Sequence, residues 1–528
     1  MTVDAHSPAL GDLVLALTTL DYGTPLLLSA LGREGYAEAL AGNPGGAVWH
    51  LNERDQREVC DARGVLLTRA FFLREPVPRT ALADVLGAAL VDALIDAGAL
   101  LAQDAQDTQP TVRAHVDVRP VTHDVHGAHG AEVLVVSDPD ASLEEFTPGD
   151  DHVPGVGQAP LTLFNQVPSG PVDRLLDLGT GSGVLALMLD ARHTVATDVH
   201  DRALGFARAS LRSSTGREVD WRCGSWFEPV EGEEFDRIVS NPPFVVGPAQ
   251  DGQIYRDSGL GLDDATRTVV QGAAAHLSPG GTAHLLGAWA TSLSESAASR
   301  VAGWIPAEGV RAWVVQRDEV SPSVYVRTWT ADASLDLRSP QGRRRVADWL
   351  SYLKEHDIAR IGMGYVHLQR IDGPSEVTFE ALDSPDLGFF GDEVAEYFLR
   401  AGWLAEQDGD DLLDARYQVR PGLARESVEL SRSGAQADDG FTEPGFVPEV
   451  VRVTRTDGPG FSHDIDAPLS AVLAGLTPDG LTLRDTAELY CAVNDLDEEA
   501  FTGALTPLVV DLVRHGVVLP AELVEVQR

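Results

Sequence analysis

The chain has 528 residues, of which 44% are hydrophobic and 23% are charged, so its composition is that of a globular protein and excludes wholesale disorder. With 81 Asp and Glu against 40 Lys and Arg, the formal net charge is −41. Such a surplus of acids repels a phosphate backbone and disfavours tight nucleic-acid binding. At about 150 residues per domain, the length predicts three or four domains.

Cysteine usage and apolar patterning bear on the compartment. Cys60, Cys223 and Cys491 lie far apart with no CxxC pair, a spacing that suits neither a disulfide framework nor a zinc site. The first residues lack the basic and apolar stretches of a signal peptide. The longest apolar stretch, 81–102, carries three Asp at helical spacing and is therefore an amphipathic helix. We expect a cytoplasmic protein without a membrane span.

Residues 9–105 predict helices, and an alternating strand follows at 111–120. Two helices followed by a hairpin are the order of a winged-helix module. The helix that would read DNA, at 88–97, carries Asp92 and Asp96 and no basic residue, so it would meet phosphates with the wrong sign. We expect a scaffold or protein-recognition role for this region and no binding to duplex DNA.

The same order, an amphipathic helix that runs into glycine and then an apolar strand, recurs at 90–103, 393–407 and 508–521. The glycines are Gly98, Gly402 and Gly516. These copies predict small helix-and-wing modules on both sides of a central domain, and the polar segment 432–447 predicts a loop. The predicted division is a winged-helix-like N-terminal domain (1–130), a central domain (131–372) and a helical C-terminal domain with winged-helix-like modules (373–528).

Strands and helices alternate between about 150 and 370. The predicted buried strands are 174–179, 193–198, 237–243, 282–290, 311–316 and 325–329. Alternation of this kind predicts an α/β domain with a parallel, doubly wound sheet.

A glycine-rich turn follows the first of these strands. The strand reaches Asp177, and Gly179-Thr180-Gly181-Ser182-Gly183 then turns into a helix, which lets the backbone approach a ligand closely. The spacing is G-x-G-x-G and differs from the dinucleotide pattern G-x-G-x-x-G. Asp198 ends the next strand, where a carboxylate can accept hydrogen bonds from two ribose hydroxyls. The two features together favour an adenosine-containing ligand.

The most specific motif is Asn241-Pro242-Pro243-Phe244, at the end of the strand from 237. Two prolines stop the strand and fix the loop that follows. The Asn241 side-chain oxygen and the Pro242 carbonyl could then accept two N–H bonds from one planar –NH2 group, and Phe244 offers a face for stacking. Because such a nitrogen has a delocalised lone pair, it needs these acceptors to become a nucleophile.

With these motifs, the run 172–248 resembles the class I S-adenosylmethionine-dependent methyltransferases. It is most similar to the NPP(Y/F) branch, which includes HemK-type protein-glutamine methyltransferases and small-domain rRNA N-methyltransferases. The resemblance implies a Rossmann-like doubly wound methyltransferase domain, here flanked by mainly helical winged-helix-like domains. Segment 153–165 resembles the part that caps the cofactor, and 255–264 resembles the loop over the substrate.

The resemblance also implies roles for individual residues. It implies cofactor binding by Asp177, Gly179, Thr180, Gly181, Ser182, Gly183, Asp198, Val199, Ser225, Trp226 and Asn241. It implies catalysis by Asn241 and Pro242, and substrate binding by Pro243, Phe244 and Tyr255. Ser225 departs from the family, which usually has an Asp there, and this implies weaker or differently tuned cofactor binding.

We therefore expect an enzyme that transfers a methyl group from S-adenosylmethionine, with S-adenosylhomocysteine as product, to a planar amide or amine nitrogen of a protein or peptide. The first alternative is a nucleic-acid base N-methyltransferase, which the 22 acids against 14 Arg in residues 150–330 disfavour. A catalytically inactive methyltransferase-fold binding protein is the second, and a natural-product acceptor also stays open. No metal is expected, since His123, His126 and His129 are three apart in a turn-rich segment.

Overall fold

The computed structural model describes residues 2–57, 61–103, 109–125, 128–139, 143, 149, 151–214, 216–249, 260–333, 335–382, 388–432 and 445–526. Cys60, His126, Tyr255 and most of the predicted loop 432–447 lie outside the described residues, as do the side chains of His123 and His129. The chain forms two compact units. The first comprises Met1–Asn165 and Ser169–Pro385, and the second comprises Gln166–Pro168 and Asp386–Arg528.

The first unit begins with helices and short strands. The helices are α1 (Pro8–Thr19), α2 (Thr24–Leu40), α3 (Pro44–Gln56), α4 (Ala62–Leu67), α5 (Arg79–Leu86) and α6 (Ala88–Asp96). The strands are β1 (Val77–Pro78), β2 (Leu100–Gln103), β3 (Thr111–Ala114), β4 (Asp117–Val125) and β5 (Ala128–Ser137). Helices α5 and α6 precede the antiparallel pair β2–β3, which is the predicted order. The winged-helix interpretation and the three-domain division stay predictions.

The rest of the first unit is an α/β domain. Its helices are α7 (Gln158–Phe164), α8 (Val184–Met188), α9 (Asp201–Ser210), α10 (Asp264–His276), α11 (Ala297–Ala302), α12 (Pro322–Asp332) and α13 (Pro340–Glu355). Its strands are β6 (Val172–Leu178), β7 (Ala191–Asp198), β8 (Val219–Cys223), β9 (Phe235–Ser240), β10 (Leu277–Thr291), β11 (Glu308–Val320), β12 (Arg360–Pro374) and β13 (Glu376–Ala381). They form one sheet in the order β13-β11-β12-β10-β9-β6-β7-β8.

The sheet is parallel from β8 to β10, as predicted, but β12 runs antiparallel to both of its neighbours, β10 and β11. The sheet is therefore mixed. The sequence analysis predicts no strand at 360–374, so it does not foresee the strand that makes the sheet mixed.

The predicted strand at 325–329 is wrong, because these residues belong to helix α12. Their aromatic and β-branched side chains favour strands. In the structure, Tyr325, Val326 and Thr330 are buried, a spacing that places them on one face of a helix. Ser321 and Pro322, at the N-cap and first helical positions, are a start signal of the kind that α-helices commonly carry.

The N-terminal helices share a hydrophobic core with the α/β domain. Leu10 and Leu13 of α1 lie in the same buried cluster as Ala203 and Phe206 of α9. The contact includes the backbone, since a Cβ added to Gly205 of α9 would lie 2.7 Å from the carbonyl oxygen of Ala5. The first helix is therefore packed into the same folded unit as the sheet.

The second unit is mainly helical. Its helices are α14 (Gly391–Ala405), α15 (Gly409–Asp414), α16 (Ala467–Gly475), α17 (Leu483–Asn494), α18 (Glu498–Arg514) and α19 (Ala521–Val526). Its strands are β14 (Tyr417–Val419), β15 (Ala424–Arg432), β16 (Gly445–Thr454), β17 (Ser462–Ile465) and β18 (Val518–Pro520), with β14 paired to β18 and β16 between β15 and β17.

The helix–glycine–strand order is present at two of its three predicted places. Gly98 and Gly516 have positive φ angles of 72° and 66° between a helix and a strand. At Gly402 the prediction is wrong, because α14 continues to Ala405 and no strand follows it directly. Trp403, the apolar residue that indicated a strand, is buried on the helix instead.

A buried cluster of charges lies inside the second unit. The Glu393 carboxylate accepts hydrogen bonds from Arg455 Nη1 (2.9 Å) and Nη2 (2.6 Å), and from Arg400 Nη2. The two guanidinium groups also donate to the carbonyl oxygens of His515 and Arg514. Burial alone would raise the pKa of Glu393, but the two guanidinium groups more than offset this and lower it. The cluster connects α14 to the end of α18 and to the residue after β16.

The described residues were compared with the geometry of metal sites and with the length and apolarity of membrane-spanning helices. Among them, no group of His, Cys, Asp or Glu is arranged to hold a metal ion. No single helix in that part of the chain is both long and apolar enough to cross a membrane, and α1 and α2 pass that test only as a pair bent by 72°.

Candidate active site

A cavity of about 920 Å³ opens at the carboxyl ends of the central parallel strands. Strand β6 has β9 on one side and β7 on the other, so the connections leave β6 in opposite directions. Ligands of open α/β sheets bind at such a reversal, because the diverging helices leave a crevice there. The volume lies near the upper end of the range of about 300–1,000 Å³ that is typical of ligand pockets.

The glycine-rich turn forms one wall of the cavity. Gly179, Gly181 and Gly183 have φ angles of 73°, 56° and 89°, in the left-handed region that glycine adopts without steric cost. A Cβ at Gly179 or Gly181 would meet no atom within 4 Å, so the space beside the turn is open. Glycine is favoured at these two positions by the backbone angle and not by crowding. At Gly183 a Cβ would lie 3.0 Å from Ala207 Cβ, so that glycine serves the packing of α8 against α9.

Asp177 lies at the end of β6, and only 1% of its surface is exposed. Its Oδ2 accepts hydrogen bonds from the Thr180 hydroxyl (2.6 Å) and the Ala186 amide (2.9 Å). Burial raises the pKa of Asp177 to about 6, although both hydrogen bonds act to lower it. Within the described part of the chain, Oδ1 has no partner, and Asp177 lines the cavity. A buried carboxylate with an open oxygen is suited to a cationic ligand group.

Asp198 ends β7 on the other side of the glycine turn. Its Oδ2 accepts from the Gly181 amide (2.9 Å) and its Oδ1 from the His200 amide (2.8 Å). Burial raises its pKa, and these two hydrogen bonds oppose that effect. Because each carboxylate oxygen can accept about two hydrogen bonds, each retains capacity for a further donor. The carboxylate is thus able to accept from a pair of hydroxyls.

Ser225 and Trp226 line the cavity beyond β8. Trp226 has a φ of 46°, which is left-handed and costs a non-glycine residue about 1–2 kcal/mol. Strain of this kind persists only where the surrounding structure enforces it, and it is concentrated at ligand sites. The indole is half-buried against the hydrophobic cluster that contains Phe227 and Val230. The backbone therefore fixes an aromatic ring at the wall of the cavity.

Asn241 follows directly after β9, which ends at Ser240. The Ser240 hydroxyl donates to the Leu178 carbonyl (2.8 Å) and connects the ends of β9 and β6. Asn241, Pro242, Pro243 and Phe244 all line the cavity. Among the described residues, no group forms a hydrogen bond with the Asn241 side chain, so its amide remains available to a ligand.

Helices α12 and α13 hold the continuation of this loop. The Val246 amide donates to Tyr325 Oη of α12 (2.8 Å), and the Val246 carbonyl accepts from Trp349 Nε1 of α13 (3.0 Å). Both aromatic side chains are buried. The N–H and the C=O of this one loop residue therefore each have a hydrogen-bond partner, one from each helix. The sequence analysis predicts neither contact, because the two partners lie 79 and 103 residues from Val246 in the chain.

Helix α12 also contributes to the cavity itself through Trp329 and Asp332. The Trp329 ring lies edge-on to Phe244, with 6.1 Å between the ring centroids. Sequence reasoning missed both residues, together with His152 and His200, which also line the cavity. The helix start at Ser321-Pro322 is the signal that could have placed Trp329 and Asp332 on a helix.

The structure brings almost all of the predicted site residues together. The cavity is lined by Asp177, Gly179, Thr180, Gly181, Ser182, Asp198, Val199, Ser225, Trp226, Asn241, Pro242, Pro243 and Phe244. Gly183 lies behind this wall, and Tyr255 is outside the described residues. The segment predicted to cap the cofactor contributes residues 153–155 and 157–160 to the lining.

A glycine turn, a strand-end acid and an Asn-Pro-Pro-Phe loop around one cleft define the class I methyltransferase arrangement. Comparison with known proteins agrees, since residues 156–290 match the family described as the methyltransferase small domain. For the central region of the chain, the prediction from the sequence of a class I S-adenosylmethionine-dependent methyltransferase of the branch with the NPP(Y/F) motif is therefore confirmed. Residues 395–520 match a domain of unknown function, DUF7782.

Two curated relatives are both named release factor glutamine methyltransferase. One, from Xylella fastidiosa, is 36% identical over 132 residues, which are 22% of this chain and 47% of the relative. The other, from Aliivibrio fischeri, is 38% identical over 78 residues, 14% of this chain and 28% of the relative. The chain thus spans less than half the length of either.

Among solved structures, a 16S rRNA N2 G1207 methyltransferase from T. thermophilus, in complex with AdoMet and guanosine, is 20% identical. The match covers 45% of this chain and 60% of that one, with a TM-score of 0.24. A score of this size carries no argument about fold or function.

Proposed function

We propose that this protein is an enzyme that transfers a methyl group from S-adenosylmethionine to a side-chain amide nitrogen of a protein, of the kind that glutamine carries. The observation that supports this most is one cavity that holds both the glycine turn with its two acids and the Asn241 loop with an unengaged amide. The names of the two curated relatives support the choice of a protein glutamine as acceptor.

The residues at the cavity fit the cofactor. The carboxylate of Asp198 has acceptor capacity for the ribose hydroxyls, and Trp226 offers a ring for the adenine. The open oxygen of Asp177 and the space beside Gly179 and Gly181 suit the cationic methionine end. Ser225 supplies a hydroxyl where the family usually has a carboxylate, so we expect the adenine amino group to be held less strongly.

On the acceptor side, the chain's role is to position a nitrogen. S-adenosylmethionine, when bound, supplies an electrophilic methyl group on a sulfonium. The Asn241 side-chain oxygen and the Pro242 carbonyl accept the two N–H groups of the acceptor amide and orient its lone pair. Phe244 and Trp329 enclose its planar face. As the C–N bond forms and the S–CH3 bond breaks, S-adenosylhomocysteine leaves as a neutral thioether and the nitrogen gives up one of its two protons to solvent. Catalysis of this kind depends on orientation and on fixed dipoles, and it needs no protein nucleophile.

The lining of the cavity favours a protein acceptor over a nucleic acid. Its charged side chains are Asp177, Asp198 and Asp332, and no described lining residue is Lys or Arg. Because phosphates are held chiefly by cationic side chains, a nucleic-acid strand would enter this cavity against unfavourable electrostatics. The same intact acids and the available Asn241 argue against an inactive binding protein.

Labelling of a cell lysate tests the proposal. The full-length protein is incubated with lysate and tritiated cofactor, and the labelled product is treated with protease or nuclease. We expect one labelled band that protease destroys and nuclease leaves. The Asn241→Ala variant, with its cofactor affinity measured in parallel, is the control for transfer by this site. If only nuclease removed the labelled band, the methyl acceptor would be a nucleic-acid base and the proposal of a protein acceptor would be wrong.

A further inference from the structure

The sequence contains one concentration of positive charge in an otherwise strongly acidic chain. Residues 338–345 hold four Arg and no Asp or Glu, within a protein whose net charge is −41. Arg343, Arg344 and Arg345 form the only place in the sequence where Lys or Arg residues are adjacent to each other. We call these three residues the arginine cluster. They lie in the first half of helix α13.

All three side chains of the arginine cluster are exposed. Arg344 Nε donates to the Pro340 carbonyl of its own helix at 3.4 Å, a weak contact. Within the described part of the chain, neither Arg343 nor Arg344 forms an ion pair. Guanidinium groups in this state remain available for carboxylates from another molecule, whereas most arginines of the first unit are already paired with acids.

The arginine cluster is connected to the acceptor loop through one residue. The Arg345 guanidinium lies over the Trp349 ring, 5.4 Å from its centroid. Trp349 Nε1 in turn donates to the Val246 carbonyl, two residues after Phe244. Helix α13 packs on α12, which carries Trp329 and Asp332 at the cavity. A molecule held at the arginine cluster is therefore held on the helix pair that braces the acceptor side of the site.

We propose that the arginine cluster is the docking surface for an acidic segment of the acceptor protein, an inference that rests on the proposed function. Charge complementarity identifies the partner as anionic, and the planar fork of arginine suits carboxylates. An RNA partner fits less well. Three arginines neutralise few phosphates, the chain as a whole repels a polyanion, and Asp332 lies at the neighbouring cavity.

Anisotropy titration of the full-length protein tests this, with a fluorescein-labelled oligoglutamate peptide and a labelled oligouridine as probes at low and at physiological salt. The test variant carries Arg343→Gln, Arg344→Gln and Arg345→Gln. The matched control carries Arg33→Gln, Arg63→Gln and Arg208→Gln, which changes the net charge equally at other exposed positions of the same unit. We expect the test variant to bind the peptide roughly ten-fold more weakly and the control to bind like wild type.

Lysate labelling with the test variant links the surface to the reaction. We expect slower labelling of the acceptor, with cofactor affinity unchanged. If wild type labels no protein, the proposed function fails, while the peptide titration still decides whether the surface binds acidic segments.

Four results would overturn the docking proposal. The first is equal peptide binding by wild type and the test variant, and the second is an equal loss in the control. The third is tighter binding of oligouridine that the test variant loses, which would make the surface an RNA site. The fourth is a concentration-dependent dimer in sedimentation that the test variant loses, which would make a second copy of the chain the partner.

Discussion

Asp177 in the α/β domain and Glu393 in the second unit are both almost fully buried, 1% and 6% exposed, yet their pKa values move in opposite directions. Glu393 has two guanidinium groups on its two oxygens. Asp177 has a hydroxyl and an amide on one oxygen only. The charge of Glu393 is therefore compensated by cationic side chains within the fold, whereas the charge of Asp177 is not.

The presence or absence of cationic partners distinguishes a carboxylate that stabilises the fold from one that is available to bind a ligand. A buried charge without a cation is costly, so a fold retains it where a bound molecule supplies the missing charge. Asp177 fits that description and faces the cavity. Asp198 also faces the cavity, but it is only partly buried, and the proposed function gives it neutral ribose hydroxyls. Glu393 would contribute nothing to a ligand, because its acceptors are occupied by Arg400 and Arg455.

The largest effect on stability is expected when the Glu393 carboxylate is removed from its two guanidinium partners. Glu393→Ala leaves two guanidinium groups buried without their carboxylate and should lower the free energy of unfolding of the second unit by about 3–5 kcal/mol. Hydrogen exchange of peptides from 391–526 measures this, with peptides from 172–240 as the internal reference. Because the pKa of Glu393 is lowered, its stabilisation is present above the unfolded value and is lost as the pH falls through the folded one.

Asp464→Asn, which removes an acid from an exposed pair with Arg452 in the same unit, is the matched control and should cost under about 1 kcal/mol. If the two variants lost the same free energy of unfolding, the buried ion pairs of Glu393 would stabilise the unit no more than an exposed pair does.

On the ligand side, Asn241→Ala should reduce the rate of methyl transfer by about 100-fold or more while cofactor affinity stays close to that of wild type. The reason is that, in the proposed function, the amide orients the acceptor nitrogen and matters mostly in the transition state. Single-turnover labelling of the lysate band measures the rate, and calorimetry measures the affinity. Asn241→Asp should also be impaired, since it changes the charge and the hydrogen-bonding balance. Undiminished labelling by the alanine variant would leave the loop with a structural role only.

The uncompensated charge of Asp177 predicts a pH dependence opposite to that of Glu393. Its folded pKa of about 6 is above the unfolded value of 3.8, so the native state holds the proton more tightly. Its contribution to stability is therefore complete below pH 4 and lost as the pH rises to about 6, by about 3 kcal/mol in all. Denaturant unfolding of wild type and Asp177→Asn across this range measures it. Unfolding curves that shift in parallel with pH would contradict the assignment.

The smallest of these effects concerns Asp198. Asp198→Ala removes acceptors for two ribose hydroxyls and should weaken cofactor binding by about 1.5–3 kcal/mol, roughly ten- to hundred-fold. Calorimetry with S-adenosylhomocysteine measures it. Asp201→Asn, three residues further along and exposed, removes the same charge without facing the cavity and serves as the control. If Asp198→Ala bound S-adenosylhomocysteine as tightly as wild type does, the assignment of Asp198 to the ribose would be wrong.

The sequence was sufficient for the part of the cavity that follows the parallel strands and insufficient for the part that helix α12 contributes. Gly179, Asp198 and Asn241 could be placed because each lies at the carboxyl end of a strand whose apolar run is unambiguous: Asp198 is the last residue of its strand, and the other two follow theirs directly. Trp329 and Asp332 could not, because their helix has strand-forming residues and its packing decides its conformation. The bonds from Tyr325 and Trp349 to Val246 span 79 and 103 residues, which no local pattern encodes.

The contact between the N-terminal segment and α9 has a practical consequence for anyone who trims this chain. Expression of the α/β domain from residue 131 onward would strip α1 from Ala203 and Phe206 and leave that apolar surface open to solvent. Such a fragment should aggregate or attract proteases even if every residue of the cavity is present. Bulky fusions at the first residues carry the same risk, since Ala5 sits on the backbone of Gly205.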